Sequence, residues 1–254
     1  MTVFTELTSE GRTQEPASPE NPVYYVAQPD GFRQRGQSVA GEEAPPLAHI
    51  DYFVRKALAT AGYFSVPSVE VRPSLFILYR WGTHNTMNEL FSEEFQRFAD
   101  AEVLERARLV GGKDLVKEMA RQMAWGESIL DRNEKLDYLK DQAFNSCYFV
   151  VLLAFDYDAM VRGERRLLWR TNMTVNSVGV SLRETLPPLI ASAAPFLGRE
   201  TAEPEITTRT LRDRARVEVG PAILVGYDEG TRSGAKQPLP RRSPDKAQPE
   251  GGRN

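Results

Sequence analysis

Cys147 to Phe155 reads Cys-Tyr-Phe-Val-Val-Leu-Leu-Ala-Phe, the longest run in the chain without a polar break. It is far short of the ~20 residues a membrane-spanning helix needs. Its β-branched and aromatic content predicts a strand buried on both faces, at the centre of a sheet. The next apolar stretch, Leu167 to Val175, alternates instead. Leu167, Trp169, Thr171, Met173 and Val175 fall on one side, and Leu168, Arg170, Asn172 and Thr174 on the other. The connection is too short for a parallel crossover, so the two strands are predicted to pair antiparallel. Ser74 to Trp81 is a third strand, with Leu75, Ile77, Tyr79 and Trp81 on one face and Phe76 and Leu78 on the other. Gly82 is expected to end it.

Other elements gather around this centre. Thr2 to Thr8 alternates and suits an edge strand, and Glu10 to Asn21 has loop composition. Val23 to Ala27 is a strand between Pro22 and Pro29, with a polar stretch from Asp30 to Pro46 behind it. Leu47, Ile50, Val54, Ala57, Leu58 and Ala61 recur at helical spacing, so a helix is predicted over 46–61. Pro45 and Pro46 suit its start and Gly62 its exit. Apolar stripes containing Phe95, Leu104, Leu115 and Met119 make 86–141 a helical insertion between strands, broken at Gly111-Gly112. Ser181 with Glu184 signals a helix start, and Pro187 and Pro188 require that helix to kink or begin late. One or two further short strands are expected over 206–211 and 216–227.

The fold class expected is α+β: a mainly antiparallel central sheet, helices packed on one face, and the helical insertion. Residues 1–228 form one domain. From Gly230 to the end there is almost no apolar residue, so 229–254 is expected to be a disordered tail.

Composition narrows function mostly by exclusion. The formal net charge is −3, which argues against a nucleic-acid partner. A single cysteine, Cys147, and two histidines, His49 and His84, leave no cysteine-cluster zinc site and little for triad chemistry. No metal or cofactor is expected. Gly111-Gly112-Lys113-Asp114 lacks both the first glycine and the hydroxyl of a phosphate-binding loop. Asp156 and Asp158 read as turn residues. Cys147 opens a buried strand and reads as a small apolar residue. No nucleophile elbow occurs. The expected catalytic set is empty, and the chain reads as a non-enzyme. One cluster combines polar and aromatic groups at a strand end: Arg80, Trp81 and His84, within 80–85. These are the candidate ligand-binding residues. Arginine offers a fork of donors, tryptophan a stacking face, and histidine a charge that changes near neutral pH. Alternation puts Arg80 opposite Trp81, so the three converge only if the chain turns sharply at Gly82.

The order of motifs carries a resemblance. A tyrosine-rich strand (Val23 to Ala27) precedes a helix ending Ala59-Thr60-Ala61-Gly62-Tyr63. Pro73-Ser74-Leu75-Phe76-Ile77-Leu78-Tyr79 follows, then a hairpin with Leu167-Leu168-Trp169-Arg170, then a helix with internal prolines. This resembles the bacterial lipoprotein family called domain of unknown function 4136, over about Val3 to Gly198. Residues 86–141 are an insertion that the family pattern does not require. The family has no established reaction, so no catalytic residue is implied. The resemblance implies export and often a lipid anchor through an N-terminal cysteine. The N-terminus shows neither a leader nor an anchoring cysteine, and the first strand begins almost at Met1, which fits a trimmed chain. A trimmed leader implies a periplasmic or outer-membrane location with a lipid anchor; otherwise a cytoplasmic one follows. The function expected is a non-catalytic cell-envelope binding or structural component with an unidentified protein or envelope partner. The alternative is a small-molecule binder, or an enzyme, using the strand end at 80–85.

Overall fold

The computed structural model describes residues 1–39, 42–86, 93–125 and 133–208. Seven strands form one sheet: β1 (Thr2–Leu7), β2 (Val23–Arg35), β3 (Tyr63–Ser65), β4 (Leu75–His84), β5 (Cys147–Asp156), β6 (Leu167–Asn176) and β7 (Glu205–Ile206). Their order is β3-β2-β4-β5-β6-β1-β7. The uninterrupted apolar strand β5 lies in the middle, antiparallel to β4 and β6. The sheet as a whole is mixed, which corrects the mainly antiparallel expectation. A helix, α2 (Leu47–Thr60), separates β2 from β3, long enough to carry the chain over and return it in the same direction. β4 then runs along the other side of β2, again parallel.

Two strands are longer than their sequence suggests. β2 continues past Pro29 to Arg35 because the register shifts between Pro29 and Gly31. A bulge there accommodates a residue without an N–H. β4 passes through Gly82 to His84. A Cβ at Gly82 would lie 1.8 Å from the Arg33 carbonyl oxygen, so the missing side chain lets β2 approach and keeps the pairing intact. β1 is also not an edge strand: β6 flanks it on one side and the two-residue β7 on the other.

Helices cover both faces of the sheet, and the two expected to share a face, over 46–61 and from Ser181, do so. α2 and α6 (Leu182–Ala193) bury Ile50, Val54, Leu58, Leu186, Leu189 and Ile190 against one face, together with Ile77, Val150, Trp169 and Met173. α6 starts at Leu182, capped by Ser181, and holds Pro187 and Pro188 inside it rather than beginning after them. Trp169 is 4% exposed, 5.6 Å from the Tyr63 ring. The opposite face meets α3 (Glu93–Trp125), which is paired with α4 (Glu134–Phe144) around Ala107, Val110, Leu115, Met119, Leu139 and Ala143. α3 kinks at Gly111 and Gly112, as their sequence predicts. Gly112 has φ of 65°, and a Cβ there would sit 2.2 Å from the Phe4 ring. The helix therefore bends where it crosses β1.

Short connections complete the unit. α1 (Ser9–Arg12) is one turn capped by Thr8, and α5 (Tyr157–Val161) is one turn capped by Asp156. The Asp156 carboxylate accepts from the Ala159 N–H at 2.7 Å, a turn role. The strands expected over 216–227 and the tail over 229–254 lie outside the described residues.

Candidate binding site: an arginine-walled cavity

Alternation along β4 sorts the three candidate residues. Trp81 joins the core with α2 and α6, is 3% exposed, and stacks on Tyr79 at 6.2 Å. Arg80 and His84 point to the opposite face, because β4 stays extended through Gly82. The structure therefore brings Arg80 and His84 together and removes Trp81 from them.

That opposite face is basic. In β2, Arg33 and Arg35 stand opposite Gly82 and His84; in β6, Arg170 stands opposite Leu153 of β5. α3 adds Arg108 from above. Arg33, Arg35, Arg80, Arg108 and Arg170 surround a cavity of about 310 Å³. Its apolar lining is Phe149, Val151 and Leu153 from β5 and Leu109 from α3. His84 and Glu105 complete it.

Carboxylates offset part of this charge. Asp30 is shared by Arg33 at 3.0 Å and Arg80 at 3.3 Å. Glu105 pairs with Arg35, and Glu6 stands opposite Arg170 across the β1–β6 pairing. Arg170 is held through Nε, which donates to Asn172 Oδ1 at 2.7 Å; Asn172 Nδ2 donates to the Arg108 carbonyl at 3.2 Å. Among the described residues, no carboxylate lies within ion-pair distance of the Arg108 guanidinium. Burial pushes the Arg170 guanidinium below its usual range; Glu6 opposes this, and the like charges of Arg108 and Arg80 add to it. Guanidinium nevertheless stays charged. Five cations thus converge in a chain whose formal net charge is −3.

His84 is part of the wall's support. It is fully buried, and its Nε2 hydrogen-bonds Glu102 of α3. Burial lowers its pKa, the bond to Glu102 opposes this, and Arg106 and Arg35 lower it further. Arg106 is itself 2% exposed and donates from Nε to the Ala143 carbonyl at 2.8 Å, tying α3 to α4. Cys147, opposite His84, is inert by environment: burial pushes its thiol up to about 12, against the opposing pull of Arg106.

Among the described residues, no three His, Cys, Asp or Glu side chains gather as a metal site would require. No helix among them is long and apolar enough to cross a membrane.

No protein-family model and no curated protein matches the chain. A PDZ domain protein from Parabacteroides distasonis ATCC 8503 is similar in structure at a TM-score of 0.40 and 10% identity. The likeness covers 80% of this chain and 37% of that one.

Proposed function

We propose that this chain is a non-catalytic binding protein whose ligand is an anion held in the arginine-walled cavity. The observation that carries this reading is the convergence of Arg80, Arg108 and Arg170 on one apolar floor. Such like charges repel, and a multidentate anion relieves that repulsion while accepting several charge-assisted hydrogen bonds. Each guanidinium presents a fixed fork suited to carboxylate or phosphate oxygens. The cavity supplies cations and apolar walls but no nucleophile paired with a base, which favours binding over turnover. The resemblance to the lipoprotein family leads us to place this binding in the bacterial cell envelope, with 86–141 as an insertion that adds α3 and Arg108 to the wall.

The experiment is a thermal-shift titration with citrate, pyrophosphate and glycerol at low salt. The anions are expected to raise the melting temperature and glycerol is not. An Arg80→Gln, Arg108→Gln double variant should lose most of the anion shift. Equal stabilisation of wild type and variant would refute the site, and robust turnover of any added ester or phosphoester would overturn the non-enzyme reading.

A further inference from the structure

The floor of the cavity does not stop at its rim. Leu153 lines the cavity and stands opposite Leu78, and the next pair on the same face is Phe76 with Phe155. Val26 of β2 stands beside Phe76 and is 39% exposed. Phe76, Leu78, Leu153 and Phe155 are all only half-buried, and none belongs to either apolar cluster of the fold. Phe149 and Val151, at the cavity end of the same stripe, are each 3% exposed and also belong to neither cluster. A continuous apolar track therefore runs from beneath the arginines along β4 and β5 toward Asp156. From Val151 to Phe155 its length is about 13 Å, at roughly 3.3 Å per residue.

Charge and apolarity are arranged along one line. At one end, Arg33, Arg80, Arg108 and Arg170 surround a space of about 310 Å³. At roughly 30 Å³ for each water-sized volume, this space takes about ten non-hydrogen atoms. At the other end lies a strip of aliphatic and aromatic side chains with no cation among Val26, Phe76, Leu78 and Phe155. A small hydrophilic anion would use only the first part.

We propose that the natural ligand is a single-chain amphiphile with an anionic head, its carboxylate or phosphate among the arginines and its hydrocarbon chain along the Leu153–Leu78–Phe76–Phe155 track. This rests on the anion-binding reading above and specifies the class of anion. Carboxylate and phosphate heads share the recognition chemistry, so both belong in the test.

Isothermal titration of the full chain at low salt, with acetate, hexanoate, decanoate, decyl phosphate, inorganic phosphate and decanol, separates the possibilities. Affinity is expected to rise about two- to fourfold per added methylene from acetate to decanoate, since a fully buried methylene contributes about fourfold. Decanol should bind at least tenfold more weakly than decanoate. Comparing decanoate with decyl phosphate identifies the preferred head. Leu78→Ser should flatten the chain-length dependence while leaving phosphate binding unchanged, and Arg108→Gln should weaken all the anions together. Circular dichroism checks that both variants fold. If acetate and phosphate bind as tightly as their decyl counterparts, the amphiphile proposal fails and the anion reading stands. If no anion binds, both fail. If decanol matches decanoate, or if the variants bind as wild type does, the track and the arginines do not act together and the proposal is overturned. A second copy of the chain as the occupant would appear as concentration-dependent dimerisation that decanoate does not reverse, which also overturns it.

Discussion

His84 shows how one residue couples the sheet to its covering helix. Its ring is fully buried and its folded pKa lies below the ordinary value of 6.5. The unfolded chain therefore binds a proton at a pH where the native chain does not. Stability contributed by neutral His84 is fully present above about pH 6.5 and declines as the pH falls toward the folded pKa. His84→Gln should make the melting temperature less sensitive to pH between about 7 and 5; an unchanged slope would show that other groups set the acid response. Cys147 makes a second test at this scale. With its thiol buried and its pKa raised to about 12, it should resist thiol reagents in the native state and react only on unfolding. Trp169 belongs to the main core at 4% exposure. Trp169→Ala should cost about 3–5 kcal/mol by chemical denaturation, and a loss under about 1 kcal/mol would contradict that packing.

At the scale of elements, the kink in α3 is the most exposed to test. Gly112 combines φ of 65° with a Cβ position 2.2 Å from Phe4. Gly112→Ala should destabilise by about 2 kcal/mol or more, from backbone strain together with the displaced ring. Gly111→Ala has no positive φ, but its Cβ would lie 2.8 Å from the Leu115 Cβ, so it should also destabilise, through crowding rather than backbone strain. Elements with strong periodicity were legible in sequence: β5, α2, the Ser181 cap and the Gly111-Gly112 break. Those whose extent depends on neighbours were not. Pro29 and Gly82 are local stop signals, yet a bulge and a close strand contact override them. This also hid most of the cavity. Alternation identified Arg80 and Arg170 as lying off the core face, but Arg33 and Arg35 enter the wall only because β2 continues, and Arg108 only because α3 folds over the sheet. Trp81 joined the candidates through sequence adjacency, whereas strand geometry sends neighbouring side chains to opposite faces.

For the whole molecule, sheet order matters more than sequence order. β1 comes before the other six strands in chain order, yet it lies between β6 and β7, with Val3 fully buried. Removing residues 1–7 should strip hydrogen bonds from the length of β6 and open the main core. The expected outcome is loss of cooperative thermal unfolding rather than a small shift. Retention of a sharp transition would mean that β1 is dispensable. Native-state hydrogen exchange should place the slowest amides in β4, β5 and β6, which are paired on both sides, and faster ones in the three-residue β3.

The β1–β6 pairing also sets a timetable. Thr2 pairs with Thr174 and Leu7 with Trp169, so β1 is synthesised well before the strand it pairs with. At roughly 5–20 residues per second, the partner follows about ten seconds or more later. During that interval β1 has no β6 to pair with, and Val3 and Leu7 have no core to enter. A nascent chain halted before residue 176 would hold a persistent unpaired strand, the kind of segment that chaperones and proteases recognise. Codon pauses ahead of β6 should therefore lower the yield of folded protein more than equal pauses placed after it.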